Sequence, residues 1–263
     1  MAQLRKTLLK RSWRLVALFL VGIGLLASVS VGLAREGPGR YNDFTFARVA
    51  YNGAGGGFFR GFGRGRSQWN MDFPSADLNI IRVLRDLTTL KINDPQYIEL
   101  TDPELFEIPF LYILEVGSLQ FDQEEADGLR EYLLRGGFMM VDDFHGTSEW
   151  NRWESQIKKV FPDRSMEEIP MDHPVFHCYY DFDKYPQIPG TRAIFSGRMY
   201  ERDGKVPHCR GIFDDQRRLM VLINWNTDIG DGWEEAASYY YQREWAETAY
   251  RLGVNYAVYS MTH

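Results

Sequence analysis

Asp142 and Asp143 stand side by side with His145 two positions on, directly after the run Gly136-Gly137-Phe138-Met139-Met140-Val141. Two carboxylates at one turn can divide general acid and base work. They can also give oxygen ligands to a hard cation, with the imidazole nearby. Aspartate is equally an ordinary turn and cap residue after a strand. Asp172-His173-Pro174 sets a second carboxylate beside an imidazole, which it can orient as in the outer shell of a metal site; a rigid turn with a hydrogen-bonded histidine explains the same residues. His173 and His177 are spaced i,i+4, but Pro174 and the flanking aromatics argue against a zinc-type helix, and no Glu follows the first His. Asn226 and Asp228 follow the apolar run Leu219–Ile223 and can face the same crevice as the aspartate pair. Trp225, with Trp69, Trp150 and Trp233, suits either the wall of a sugar-like pocket or core packing. The catalytic candidates are therefore Asp142, Asp143 and His173, and the ligand-binding candidates His145, Asn226, Asp228 and Trp225. The metal question stays open, and no cofactor is predicted.

Nucleophilic catalysis by a cysteine or by a serine at an elbow is disfavoured. Cys178 lies in Phe176-His177-Cys178-Tyr179-Tyr180 and Cys209 follows His208. Neighbours along a strand point to opposite faces, so His208 is poorly placed to activate Cys209. No Gly-x-Ser-x-Gly elbow is present. Between Gly53 and Arg66 lie seven Gly and three Arg among Phe58, Phe59 and Phe62. Without Gly-Lys-Ser/Thr or a dinucleotide fingerprint, this reads as a surface loop or a lid over the site.

The elements that must position these groups alternate between strand and helix. Strands are expected at Phe44–Tyr51, Tyr97–Leu100, Pro109–Val116, 138–141 and Leu219–Ile223. The third is apolar on both faces, as a central parallel strand covered by helices should be. Helices are expected near Ser75–Leu90, from the capping box Asp122-Gln123-Glu124-Glu125 to Gly136, over Ser148–Val160, and near Ser238–Leu252. Arg192–Phe213 reads as strands around the turn Asp203-Gly204. The class is α/β with a mainly parallel central sheet, and ligands collect at the carboxyl ends of such strands.

Arg5, Lys6, Lys10, Arg11 and Arg14 precede the apolar run Leu15–Leu26, which weakens toward Ala34. This is the layout of a signal peptide; as an uncleaved anchor, Leu15–Ala34 is just long enough to span a bilayer. Both readings predict export, to the periplasm or to the outer face of an inner membrane, with residues 1–34 engaging membrane or secretion machinery. Residues 35–43 read as a linker and 44–263 as one domain. Without the leader, 25 basic groups face 36 acidic ones, a net charge of −11. So acidic a domain argues against nucleic acid. An envelope protein or small molecule is the expected partner. Export would let Cys178 and Cys209 pair, and two separate buried thiols fit equally.

Pro109-Phe-Leu-Tyr-Ile-Leu114, Leu129-Arg-Glu-Tyr-Leu-Leu-Arg-Gly-Gly-Phe138, Val141-Asp-Asp143, Asp172-His-Pro174 and Leu252-Gly-Val-Asn-Tyr-Ala-Val-Tyr259, in this order, resemble the bacterial domain-of-unknown-function family 4159 over residues 44–261. The resemblance implies a class I glutamine-amidotransferase-like fold, a flavodoxin-like three-layer sandwich, and no assigned activity. In amidotransferases the strand-to-helix turn holds a nucleophilic Cys; here the corresponding turn reads Val141-Asp142-Asp143-Phe144. The resulting expectation is a non-glutaminase domain binding a ligand or envelope partner at the strand-end crevice. The alternative is an acid/base or metal-dependent hydrolase of envelope or carbohydrate material.

Overall fold

The apolar runs become strands of one seven-stranded sheet in the computed structural model, which describes residues 43–51, 53 and 68–263. These residues belong to the compact unit Pro38–His263. The expected leader, the linker apart from Asp43, and the Gly/Arg-rich loop apart from Gly53 lie outside the described residues. Among those described, no helix is long and apolar enough to cross a membrane.

In chain order the main elements are β1 (Phe46–Val49), α1 (Ser75–Leu87), β2 (Gln96–Ile98), β3 (Phe110–Leu114), α2 (Gln123–Leu134), β4 (Phe138–Asp142), α3 (Gly146–Val160), β5 (Glu167–Glu168), α4 (Thr191–Phe195), β6 (His208–Phe213), β7 (Leu219–Trp225), α5 (Ile229–Glu234) and α6 (Arg243–Thr262). The spatial order is β2-β1-β3-β4-β7-β6-β5. The first five are mutually parallel, whereas β6 and β5 add an antiparallel edge. Every residue of β1, β3 and β4 is buried, because helices cover both faces of the sheet. Phe46, Phe110, Tyr112 and Met140 pack toward α1, α5 and α6. Ala47, Leu111, Ile113, Met139 and Val141 pack toward α2 and α3. Leu114 pairs with Asp142 and Val141 with Ile223, so the carboxyl ends of β3, β4 and β7 finish nearly level.

The local signals account for much of this. Asp122 accepts from the Glu125 amide at 2.9 Å while Glu125 accepts from the Asp122 amide at 2.8 Å, closing the capping box of α2. Two expectations fail. The segment 192–213 holds the short helix α4, a loop and the single strand β6 rather than a hairpin about Asp203-Gly204. Asp203 caps α3 instead, accepting from the Thr147 amide at 3.0 Å and its hydroxyl at 2.6 Å. The last helix starts at Arg243, not Ser238, and runs ten residues past Leu252 to Thr262. Gly253 does not end it: a Cβ there would stand 2.7 Å from Trp233, so this glycine permits close helix packing.

Candidate metal centre

Three strand ends and one buried ion pair build the site. Arg48 of β1 is fully buried, with Nε 3.1 Å and Nη2 2.5 Å from the carboxylate of Asp77 on α1. Its Nη1 donates to the carbonyls of Trp69, at 3.3 Å, and Met71. These bonds pin the segment that carries Asp72. Asp142, the last residue of β4, is wholly buried, and its Oδ2 accepts from the Tyr112 hydroxyl at 2.9 Å and the Ile229 and Gly230 amides at 3.0 and 2.9 Å. It thereby fixes the first turn of α5 to the sheet. A Cβ on Gly230 would lie 2.6 Å from the Tyr112 oxygen, so only glycine fits there. Asp228 caps the same helix, its Oδ1 accepting from the Asp231 amide at 2.8 Å.

A cavity of about 380 Å³ opens over these ends, lined by nine carboxylates with Arg192 and His145 as the basic side chains. Asp143, Asp228, Asp231 and Glu115 come from the strand ends and α5. Asp72, Glu149, Glu201, Glu234 and Glu235 close the sides. Asp72, Glu115 and Asp143 all have positive φ, and so do Asn226 and Arg202 beside them. Of the six described non-glycine residues with positive φ, Arg217 alone lies elsewhere. Such conformations cost energy and gather at functional sites.

Four of the carboxylates, Asp143, Glu201, Asp228 and Asp231, are buried and crowd one another. Burial first, then the charge of Asp231, pushes Asp143 well above the ordinary carboxylate range. Burial and then Asp143 do the same to Asp228. Asp72 is pushed up to about 9 by burial and Asp231, and Glu115 to about 8 by burial and Asp143. Asp142 rises only to about 6, because the Gly230 amide and the Tyr112 hydroxyl oppose its burial. Two triads have donor atoms within 4.8 Å of one another: Asp143, His145 and Asp228, and Asp72, Asp231 and Glu234. His145 is 4% exposed; Nε2 lies 3.3 Å from Asp143 Oδ1, and Nδ1 has no hydrogen-bond partner. Burial holds its pKa down, leaving the neutral imidazole that a metal needs. Oxygen-rich donors with one imidazole suit manganese or zinc better than a thiolate-seeking metal.

The sequence candidates take different places. Asp143, His145 and Asp228 line the cavity together, whereas Asp142 supports it from below without lining it. Asn226 is a clamp: its Oδ1 accepts from the Gly146 amide at 2.8 Å and its Nδ2 donates to the Val206 carbonyl at 2.7 Å. Trp225 packs at a tilt against Trp150 and stacks on His208, outside the cavity lining. His173 does not join the cluster; its Nδ1 accepts from the Val175 amide at 3.2 Å and its ring packs on Phe213 and Tyr259. Cys178 and Cys209 are free thiols, pushed up by burial to about 11 and well above the usual range. Neither lines the cavity. Asp72, Glu115, Asp231 and Glu234 form no motif in the sequence because they lie on three segments, with only Asp231 and Glu234 sharing one. Glu115 nevertheless carries the signal used for Asp143, an acid directly after an apolar strand.

The model of the domain of unknown function DUF4159 matches residues 45–261, and the chain belongs to that family. No curated protein matches it.

Proposed function

We propose that this member of a family of unknown function is an exported, divalent-cation-dependent hydrolase, with the ion held by Asp143, His145 and Asp228. The observation that carries the reading is the buried triad itself: His145 is almost wholly buried, and one of its ring nitrogens lies within 4.8 Å of carboxylate oxygens of Asp143 and Asp228, neither of which has a described salt bridge to Lys or Arg. A cation there would relieve the repulsion that holds these acids above their usual range. The ion would supply an activated water, and this fits a site without Cys or Ser in its lining. Asp72, Asp231 and Glu234 could take a second ion across the same cavity.

The finer fold assignment is a flavodoxin-like three-layer sandwich of the glutamine-amidotransferase-like class. The parallel order β2-β1-β3-β4-β7 supports it, being the 2-1-3-4-5 order of flavodoxin-like sheets. Asp143, at φ 47° between β4 and α3, would then occupy the turn where amidotransferases carry their nucleophile. The basic and apolar stretch Arg5–Ala34 supports export, and envelope or carbohydrate material is the corresponding substrate class.

The test is elemental analysis of protein purified without chelator, then calorimetric titration of Mn2+ and Zn2+ into wild type and into Asp143→Asn, His145→Ala and Asp228→Asn. At least one ion per chain is expected, with each variant weakening it about tenfold or more. Protein that retains no ion and binds none at millimolar concentration refutes the centre. Stoichiometric metal without turnover on any ester, amide or glycoside panel would leave a binding domain and remove the hydrolase.

A further inference from the structure

Beside the acidic cavity lies a second one of about 120 Å³ with the opposite character. Arg192, Arg198 and Arg202 line it together with Ser196, Ala193 and Glu201. Arg192 and Glu201 belong to both cavities, so the two adjoin. Glu201 is the one acid in the smaller lining; it is nearly buried and accepts from Arg192 Nη1 at 3.3 Å, which steadies that guanidinium between the cavities. Arg202 is held by Glu149, with Nη2 2.5 Å from its Oε1, and Arg198 donates from Nε to the Ser196 hydroxyl at 3.2 Å. Arg192 and Arg202 thus each meet one carboxylate, of Glu201 and Glu149, while no salt bridge is described for Arg198, and most of the N–H groups of the three guanidiniums have no described acceptor. With Glu149 counted, the three arginines keep a net charge of about +1 in a domain that is otherwise acidic.

The geometry points to this pocket as the subsite for a phosphate or similar tetrahedral oxyanion of the substrate. Guanidinium forks match such oxygens in pairs, and three around a small concavity can hold one group from several sides. The acidic cavity alone would repel an anionic substrate. With Arg192 between the two, a phosphorylated molecule can place its phosphate on the arginines and extend its neighbouring bond over Asp143 and Asp228. That last placement rests on the proposed metal centre, whereas binding of the oxyanion does not.

The experiment follows inorganic phosphate by calorimetry on the full chain in EDTA, with acetate as the planar comparison and Arg198→Gln and Arg192→Lys as variants. Mn2+ titration of the same proteins reads the metal centre separately. Phosphate should bind metal-free wild type more tightly than acetate. Arg198→Gln should weaken it about tenfold or more, the worth of one charge-assisted hydrogen bond, and leave Mn2+ binding unchanged. Arg192→Lys keeps the charge and should lose less. Phosphate that binds only with Mn2+ present, or equally well in both variants, overturns the subsite. Phosphate binding without any Mn2+ binding retains the subsite and refutes the metal reading instead. Glycerol phosphate in solution and phosphatidylglycerol vesicles then separate a soluble substrate from a lipid one, and capture of neither refutes a phosphorylated substrate.

Discussion

Replacing Arg48 by Met should destabilise the protein severely and disturb the site at a distance. The side chain is fully buried, makes two bonds to Asp77 and two to the carbonyls of Trp69 and Met71, and lies 5.0 Å from the centre of the Tyr112 ring. Methionine fills similar space but leaves Asp77, itself fully buried, as an unpaired charge. Breaking a buried pair in this way costs about 3–5 kcal/mol. A domain of this size loses roughly 2–4 °C of Tm per kcal/mol, so the melting temperature should fall by about 6–20 °C. The double variant Arg48→Met/Asp77→Leu removes both charges and should recover most of that loss. It cannot restore the two carbonyl contacts, so the 69–72 segment stays unpinned and Asp72 leaves the cavity wall. Melting curves in EDTA read the first effect, and Mn2+ titration of the double variant reads the second, as weaker binding at the Asp72 triad. A single variant melting within about 3 °C of wild type, or a double variant no better than the single, would refute the reasoning.

The metal-free protein should lose stability as pH rises. Asp72, Glu115 and Asp142 have folded pKa values of about 9, 8 and 6, all above their unfolded values near 4. The folded state therefore binds more protons, and its advantage, complete below pH about 4, is lost progressively up to pH about 9. A Tm in EDTA that climbs between pH 5 and 9 would contradict this. Asp143→Asn removes a crowded carboxylate that fixes no helix, so it should raise the Tm of the metal-free protein while weakening Mn2+ binding about tenfold or more. Asp142→Ala should do the reverse, costing about 2–4 kcal/mol in chemical denaturation by orphaning the Tyr112 hydroxyl and two amides of α5. Gly253→Val forces a side chain against Trp233 and Ile80, and should cost about 1–3 kcal/mol in the same measurement.

What the sequence determined by itself is the local architecture. Buried parallel strands read as unbroken apolar runs, and the capping box of α2 is complete within four residues, so β3, β4, β7 and the start of α2 were visible without any partner. Asp143, His145 and Asp228 were visible too, because polar residues abruptly following an apolar strand mark the sheet's carboxyl edge. Tertiary structure alone decided what they do. Asp142 and Asp143 are neighbours in sequence, yet the pleat and the positive φ at Asp143 send one carboxylate under α5 and the other into the cavity. His173 has the better local motif but packs on Phe213 and Tyr259, while Asp72 reaches the site because Arg48, more than twenty positions earlier in the chain, holds the carbonyls of Trp69 and Met71 beside it. A strand end can be recognised from a few residues, because hydrophobic burial and capping act over short spans. A cavity charge is the sum over segments dozens of residues apart, and it exists only once the sheet order has brought them together.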